Sequence, residues 1–282
     1  MAYLLRYVLG VRPQPEPEER LRLSPLERGT LFHDVAERFL RACLDANAFP
    51  LQDSPQLREK VLTIARERLD ALVVGSPPLF MGLWRRERRV FLELVERWYE
   101  REVGNSQHVR PIALEAVFGS DESRCALELQ PGRWLRLEGR IDRVDRRVRD
   151  NALVLRDYKT GRAPTGRSST FETARRLQMP IYVWAARRLY PDETIAEAAL
   201  DYVDGGRMLG MRPDEVSEEA LTLLLRGFAS AMSNGLFVQE PESCETCDHT
   251  SVCGPRAALE WRLRRKSRDR RLQALKRVGT EA

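Results

Sequence analysis

Long hydrophobic runs are missing from this sequence. No apolar stretch in its 282 residues approaches the roughly 20 residues that a membrane-spanning helix needs, and no signal-peptide pattern opens the chain. Cysteine is scarce as well: there are five, an odd number, and three of them lie close together near the end. That pattern does not fit the disulfide framework of a secreted protein. We therefore expect a cytoplasmic protein with no membrane segment.

Glycine-rich phosphate-binding motifs are also missing. The sequence has neither a P-loop nor a GxGxxG motif after a strand, so nucleotide-driven chemistry within this chain is not expected. Neither an internal repeat nor a long low-complexity linker divides the chain. Its length is sufficient to bury a substantial core.

Charge, by contrast, is abundant. Charged residues make up 32% of the chain, although bases exceed acids by only five. Two segments concentrate arginine, "LWRRERRV" and "WRLRRKSRDRRLQALKR". Arginine suits phosphate contacts, so both segments are candidates for binding nucleic acid. Solvated helix faces explain either segment equally well when it is taken alone.

Hydrophobic spacing predicts helices first and strands afterwards. Apolar residues at helical spacing indicate helices over residues 29–46, 55–74 and 79–103. Four strand-like segments follow: "IALEAVFG", "RCALELQ", "WLRLEGRIDRVD" and "ALVLRDYKTG". The order ends with a helix over 171–189, a strand "EAALDYVDGG", a helix over 217–234 and a basic C-terminal helix. This order predicts an α/β fold with a mixed central sheet flanked by helices.

We interpret residues 1–282 as a single domain of three parts. Residues 1–108 are mainly helical and form an N-terminal insertion, whereas 109–238 form the sheet core. Residues 239–282 contain a cysteine cluster and the basic C-terminal helix.

Three charged residues lie near the ends of two neighbouring predicted strands. In "LVLRDYKTG", Asp157 and Lys159 share one face of the strand because side chains alternate, and Tyr158 takes the other. Asp142 lies in the preceding strand-like segment. If the two segments pair as a hairpin, two carboxylates and one ammonium meet at one end of a sheet.

Such a set of charges suits a metal ion. Two adjacent carboxylates repel each other unless a cation lies between them, and hard oxygen ligands favour Mg²⁺ or Mn²⁺. The metal can bind a phosphate oxygen and lower the pKa of an attacking water, and a nearby lysine can stabilise the charge of the transition state. The set therefore suits hydrolysis of a phosphodiester. An Asp–Lys pair at a sheet edge is the plainer interpretation, which D-x-K alone favours.

The surrounding residues resemble those of a known family. "GRIDRVD", "LVLRDYKTGR" and "LQMPIYVWA" are similar to motifs of the PD-(D/E)XK nucleases, in the RecB/AddB branch shared with CRISPR-associated nucleases that carry iron–sulfur clusters. The resemblance extends from "GTLFHDVAERFL" through "CETCDHTSVC", over most of the chain. It implies a restriction-endonuclease-like fold with Asp142 and Asp157 as metal ligands and Lys159 as the catalytic lysine. It also implies that the backbone carbonyl of Tyr158 is a metal ligand.

The resemblance implies further site residues. His33 matches a histidine that this branch adds to the metal ligands, although a lone helical histidine is more often structural. Glu115 matches an acid of the first strand, with a solvated strand-edge glutamate as the alternative. Gln178 and Tyr182 share a helical face and match a Q-x-x-x-Y motif that helps to place the nucleic acid. A core tyrosine and a surface glutamine are the alternative. Pro180 between them predicts that the helix begins or kinks there.

Three cysteines are grouped with C-x₂-C-x₅-C spacing: Cys244, Cys247 and Cys253. Thiolates this close together can coordinate zinc or an iron–sulfur cluster. In the family that the sequence resembles, the trio joins an upstream cysteine to hold a [4Fe–4S] cluster. The opening "MAYLLRYVLGV" is similar to the stretch after that cysteine, so we expect an N-terminally clipped chain without the fourth ligand. Cys43 and Cys125 are predicted to be core residues, and His249 is the nearest alternative ligand.

Together these observations predict a metal-dependent DNA nuclease, either exo- or endonucleolytic, that acts in DNA repair or recombination. Its partners would be DNA, as single strands or duplex ends, and a helicase domain or subunit. Two alternatives stay open. One is a non-catalytic DNA-binding or scaffolding module of a helicase–nuclease, which loss of the two acids or the lysine would have favoured. The other is a CRISPR-adaptation nuclease with the same chemistry.

Overall fold

The computed structural model describes residues 2–12, 23–75, 80–120, 125–163, 177–237, 247 and 249–266. After a short π-helical turn at Leu4–Val8 come three long helices, α1 (Pro25–Asp45), α2 (Pro55–Gly75) and α3 (Met81–Asn105). The strands β1 (Val109–Phe118), β2 (Ala126–Gln130), β3 (Arg133–Arg136), β4 (Gly139–Arg147) and β5 (Leu153–Lys159) follow. The rest comprises α4 (Gln178–Leu189), β6 (Ile195–Tyr202), β7 (Arg207–Met211), a 3₁₀ turn at Pro213–Glu215, α5 (Glu218–Ser233), α6 (Thr250–Cys253) and α7 (Arg256–Lys266). Within these ranges, no helix combines the length and apolar character that crossing a bilayer requires.

Helix α1 begins at Pro25, four residues before the predicted start at residue 29. The side chain of Ser24 accepts a hydrogen bond from the backbone N–H of Glu27 at 3.2 Å, and the Glu27 carboxylate accepts one from the N–H of Ser24 at 2.9 Å. This capping box satisfies two backbone donors that the first turn leaves without partners. The hydrophobic pattern marks only the buried face, so it missed a first turn fixed by polar residues.

The central sheet is mixed, as the sequence predicts. Its strand order is β1-β4-β5-β6-β7. Strand β4 is antiparallel to both β1 and β5, β6 is parallel to β5, and β7 is antiparallel to β6. The pairing of β4 with β5 runs from Arg146–Leu153 to Arg143–Arg156. Asp142 and Asp157 therefore lie just past the last pair, at one end of the hairpin.

The segment "WLRLEGRIDRVD" is not one strand, and that expectation was wrong. Residues 137–138 divide it into β3 and β4, and β3 pairs with β2 in a separate two-stranded sheet. At Gly139, an added Cβ would lie 2.5 Å from the ring of Phe118, so β4 begins where its backbone must pass close to β1. Alternation of apolar residues carries no signal for such a change of partner.

Two later elements also differ from the prediction. Helix α4 begins at Gln178, and residues 171–176 of the predicted helix lie outside the described residues. Pro180 falls in its first turn, where its missing N–H costs no helical hydrogen bond, as the prediction of a start near this proline requires. The short edge strand β7 was not predicted.

Two hydrophobic clusters cover the two faces of the central sheet. Helices α1, α2 and α3 form the first cluster with Leu114, Tyr158 and Val203 of the sheet. Helices α4 and α5 form the second with Ile141, Val144, Leu153 and Leu155, joined by the β2–β3 hairpin. Strand β5 thus lies between both clusters and is buried on both faces. Burial of this kind holds the end of β5, where the charged residues lie, in one position.

Candidate active site

Asp142 takes the place of a backbone partner where β4 and β5 separate. Its Oδ2 accepts a hydrogen bond from the backbone N–H of Tyr158 at 2.8 Å. The side chain is almost buried, with 9% of its surface exposed. Because the carboxylate satisfies an N–H that strand pairing would otherwise use, its orientation is fixed by the sheet itself.

His33 reaches this end of the sheet from α1. Its Nε2 lies 3.0 Å from the backbone oxygen of Tyr158, and its Nδ1 lies 3.3 Å from Oδ1 of Asp142. The neighbouring Phe32 is fully buried against the sheet, so the helix cannot turn His33 away without losing that packing. Burial opposes protonation of His33, but the hydrogen bond and charge of Asp142 outweigh it and raise the pKa of the imidazole above its usual value.

Glu115 lies opposite Asp142 on the neighbouring strand. The pairs Leu114–Arg143 and Ala116–Ile141 flank it in the register of β1 and β4. Its φ of 52° is in the left-handed region, which costs a non-glycine residue on the order of 1–3 kcal/mol. Burial raises the pKa of its carboxyl group, and Arg140 opposes that rise through an ion pair of 3.1 Å. Backbone strain of this kind at a buried acid is typical of a functional position.

Asp157 and Lys159 form a contact on the other side of β5. Nζ of Lys159 lies 2.5 Å from Oδ2 of Asp157, and it donates to Oε1 of Gln178 at 3.0 Å. The amide of Gln178 in turn donates to Oδ1 of Asp157 at 2.5 Å and to the hydroxyl of Tyr182 at 2.9 Å. Gln178 therefore holds both charged groups with one amide. Burial and the charge of Asp142 raise the pKa of Asp157, against the effect of Lys159.

The site residues fit a hard divalent cation. Ligand atoms of His33, Glu115 and Asp142 all lie within 4.8 Å of one another, with the Tyr158 carbonyl beside His33. One imidazole nitrogen, two carboxylates and a carbonyl are donors that Mn²⁺ accepts, and the three oxygen donors suit Mg²⁺. Asp157 is not a member of this group of three. The structure thus brings all the predicted site residues of α1, β1, β4, β5 and α4 to one place, with Glu115 more central than expected.

A groove opens beside these residues. It has a volume of about 1010 Å³ and is lined by the first half of α1, by part of α2 and by the ends of β1, β4 and β5. His33, Glu115, Arg140 and Lys159 all contribute to its wall. The guanidinium of Arg28 donates a hydrogen bond to the backbone oxygen of Thr160 at its edge. A polymer could therefore reach the site along α1.

The cysteine cluster is only partly described. Cys244 lies outside the described residues, whereas Cys247 and Cys253 are half-buried and His249 is buried next to the start of α6. The two remaining thiols, Cys43 and Cys125, are buried in the hydrophobic clusters, as predicted for core residues.

A buried ionic network behind the site was not predicted. Arg143 is fully buried and lies 2.6 Å from Asp145 and 2.7 Å from Glu102 of α3. Arg156 pairs with the second oxygen of Asp145 at 2.7 Å. The only available signal was the density of charge in "GRIDRVD", a segment that a buried strand would normally fill with apolar residues.

Comparison with known proteins agrees with the geometry. The family model of the PD-(D/E)XK nuclease superfamily matches residues 1–254. The chain belongs to the PD-(D/E)XK nuclease superfamily. The resemblance seen in the motifs is confirmed, and the mixed sheet flanked by helices is the restriction-endonuclease-like fold of this superfamily.

Several relatives of this PD-(D/E)XK chain carry the name of the second, or B-type, component of an ATP-dependent helicase/deoxyribonuclease. The one from Ruminiclostridium cellulolyticum is 32% identical over 169 residues, which is 57% of this chain and 14% of the relative. The one from Desulforudis audaxviator is 31% identical over 57% of the chain and 14% of the relative. The one from Moorella thermoacetica is 25% identical over 90% of the chain and 22% of the relative. The chain thus spans less than a quarter of the length of these relatives.

Proposed function

We propose that this chain hydrolyses phosphodiester bonds in DNA with the help of Mg²⁺ or Mn²⁺, in DNA repair or recombination. The observation that carries the proposal is the meeting of His33, Glu115 and Asp142 within 4.8 Å, next to the Asp157–Lys159 pair and at the wall of a groove. The names of the relatives support DNA as the substrate and a helicase as the partner.

Each residue has a distinct part in this proposal. His33, Asp142, Asp157 and the Tyr158 carbonyl hold the metal, and Glu115 adds a further carboxylate. When bound, the cation supplies Lewis-acid chemistry that activates water and neutralises charge on the phosphate. Three carboxylates without a cation would repel one another, which agrees with the raised pKa of Glu115 and of Asp157.

Lys159 acts on the reacting phosphate itself. Its ammonium lies at the groove, anchored by Asp157 and by the amide of Gln178. From there it orients the attacking water by hydrogen bonding and stabilises the negative charge that grows on the phosphoryl oxygens. Gln178 and Tyr182 keep Asp157 and Lys159 in register, and they place the nucleic acid near them.

A cleavage assay tests the proposal. End-labelled single-stranded and duplex DNA are incubated with Mg²⁺ or Mn²⁺ and separated on a gel, and a closed circular substrate distinguishes endonucleolytic from exonucleolytic cutting. Asp142→Asn and Asp157→Asn should each abolish cleavage, because a neutral amide holds a hard cation poorly. Asp150→Asn, at the opposite turn of the same hairpin, is the matched control and should cut like the wild type. Undiminished cleavage by Asp157→Asn, or none by the wild type, contradicts the proposal.

We also propose that the cysteine trio binds a metal centre, either zinc or iron–sulfur. Cys247 and Cys253 lie on either side of the buried His249, in a segment that a soft cation would tie together. Anaerobic purification followed by iron, sulfide and zinc analysis tests this. A protein with none of the three elements would exclude the centre in this chain.

A further inference from the structure

Behind the site, a buried network fastens the point where β4 and β5 separate. Arg143 and Arg156 form the last pair of the two strands, and both guanidinium groups lie against Asp145. Arg143 also contacts Glu102 of α3 at 2.7 Å. Its third contact is a hydrogen bond of 3.1 Å that its Nη1 donates to the hydroxyl of Tyr158.

Stability alone does not account for this network. Arg143, Asp145 and Glu102 are buried to 99% or more, and removing charges from water costs several kcal/mol for each ion. Well-packed apolar residues of similar volume often stabilise a core as well as such a network or better. The charges therefore call for an additional role, and the hydroxyl of Tyr158 is the group that connects them to the site.

Tyr158 has its ring on one side of the sheet and its peptide groups at the site. Its ring lies edge-on to Phe32 and to Trp98, with centroids 5.5 and 6.1 Å away, and its hydroxyl contacts Arg143. Its backbone N–H is bonded to Asp142, and its backbone oxygen lies 3.0 Å from His33. The peptide groups on both sides of Tyr158 are thus two of the site's contacts, at a place where β4 no longer holds them by regular pairing.

We propose that Arg143 is a positioning residue for the metal site and acts through the hydroxyl of Tyr158. The contact fixes the rotation of the Tyr158 ring and so the direction of its backbone N–H and carbonyl. Asp142 and His33 are oriented through those two groups. Neither Arg143 nor the Tyr158 ring touches the reacting atoms. The inference rests on the proposed metal-dependent function and extends it to residues on the far side of the sheet.

Tyr158→Phe tests this inference because it removes one oxygen atom and leaves the ring packing in place. The dissociation constant of Mn²⁺ is measured by calorimetry or by electron paramagnetic resonance, without DNA. We expect it to rise roughly tenfold, as is typical when a group that orients a metal ligand is lost. Cleavage at saturating Mn²⁺ should recover most of the wild-type rate, since the ligands themselves are retained.

Tyr99→Phe is the matched control. Tyr99 is equally buried in the same aromatic cluster, and its hydroxyl donates to Asp53 at 2.9 Å, away from the site. Both variants should lower the melting temperature to a similar extent, but only Tyr158→Phe should weaken Mn²⁺ binding. Glu102→Gln, which removes a charge from the network without touching Tyr158, should weaken Mn²⁺ binding in the same direction.

Two outcomes separate the inference from the proposed function. If the wild type binds Mn²⁺ and cleaves DNA while Tyr158→Phe keeps the wild-type dissociation constant, the network is structural and the inference alone is overturned. If the wild type neither binds Mn²⁺ nor cleaves DNA, the proposed function is overturned and the inference with it.

Discussion

At the scale of single residues, the ammonium of Lys159 is the group with the clearest division of labour. It lies 2.5 Å from Asp157 and 3.0 Å from Gln178, but it is not among the group of three residues that could hold a cation. A lysine in this arrangement contributes to the rate and contributes little to metal affinity. The same contacts explain why Gln178 cannot be treated as a surface residue: its amide holds both partners.

Lys159→Ala should therefore separate rate from metal binding. We expect the single-turnover cleavage rate to fall by about a hundredfold or more, equivalent to about 3 kcal/mol of transition-state stabilisation. The Mn²⁺ dissociation constant, measured by calorimetry, should change little. Lys60→Ala, at an exposed position of α2, provides the control and should leave both quantities unchanged. A Lys159→Ala protein that cuts at the wild-type rate would rule out the catalytic role.

The local contacts of the site were predictable, and the distant ones were not. Strand alternation is a property of neighbouring residues, so the sequence alone placed Asp157 and Lys159 on one face of β5 and Tyr158 on the other. The proximity of His33 and Gln178 was expected only through the resemblance to a family. Glu102 and Arg143 are far apart in the chain, and an ion pair between distant residues leaves no periodic signal.

At the scale of elements, the β4–β5 hairpin is held at its two ends by different interactions. The site end has the buried network, and the turn end has Asp150. Oδ1 of Asp150 accepts from Nε of Arg147 at 2.8 Å, Oδ2 accepts from Nη2 at 2.5 Å, and the turn residue Asn151 has a φ of 64°. Turn chemistry of this kind is local, so the hairpin could be predicted from sequence. The independence of the β2–β3 sheet could not, because it depends on which strand each edge meets.

The stability of this hairpin should depend on acid pH. The hydrogen bonds from Arg147 lower the pKa of Asp150 to about 2, below the value of about 3.9 for an unfolded chain. A lowered pKa stabilises the fold above about pH 4, and this contribution is lost as the pH falls towards 2. Asp150→Asn should thus lower the melting temperature slightly at pH 6 and should differ less from the wild type at pH 2. An equal difference at both pH values, measured by circular dichroism, would show that the charge has no part.

At the scale of the whole molecule, arginines are distributed unevenly in their contacts. Many are neutralised within the fold, as Arg66 is by Glu59 at 2.6 Å. On α7, the guanidinium of Arg265 instead stacks on Trp261, whose ring is 57% exposed. An exposed aromatic ring and a neighbouring cation suit a single-stranded nucleic acid, since bases stack and phosphates need positive charge.

Salt dependence distinguishes these two kinds of arginine. Arg265→Gln should weaken binding of a single-stranded oligonucleotide and reduce the slope of log affinity against log salt by about 0.7, the value for one phosphate contact. Arg66→Gln carries the same change in net charge and should leave the slope unaltered. Fluorescence anisotropy in Ca²⁺ at several salt concentrations measures both. Identical slopes for the two variants would show that α7 does not contact the backbone of the nucleic acid.

The bridge between Lys159 and Gln178 also has a consequence for how the chain can vary in length. These two residues end β5 and begin α4, and their side chains are joined at 3.0 Å. The burial of Tyr182, Val183 and Trp184 independently holds α4 against the sheet. Both ends of the connecting segment are thus fixed without help from the segment itself, and the entropy of closing a loop grows only slowly with its length. Insertions between Gly161 and Leu177 can therefore accumulate, by evolution or by engineering, while the catalytic geometry stays the same.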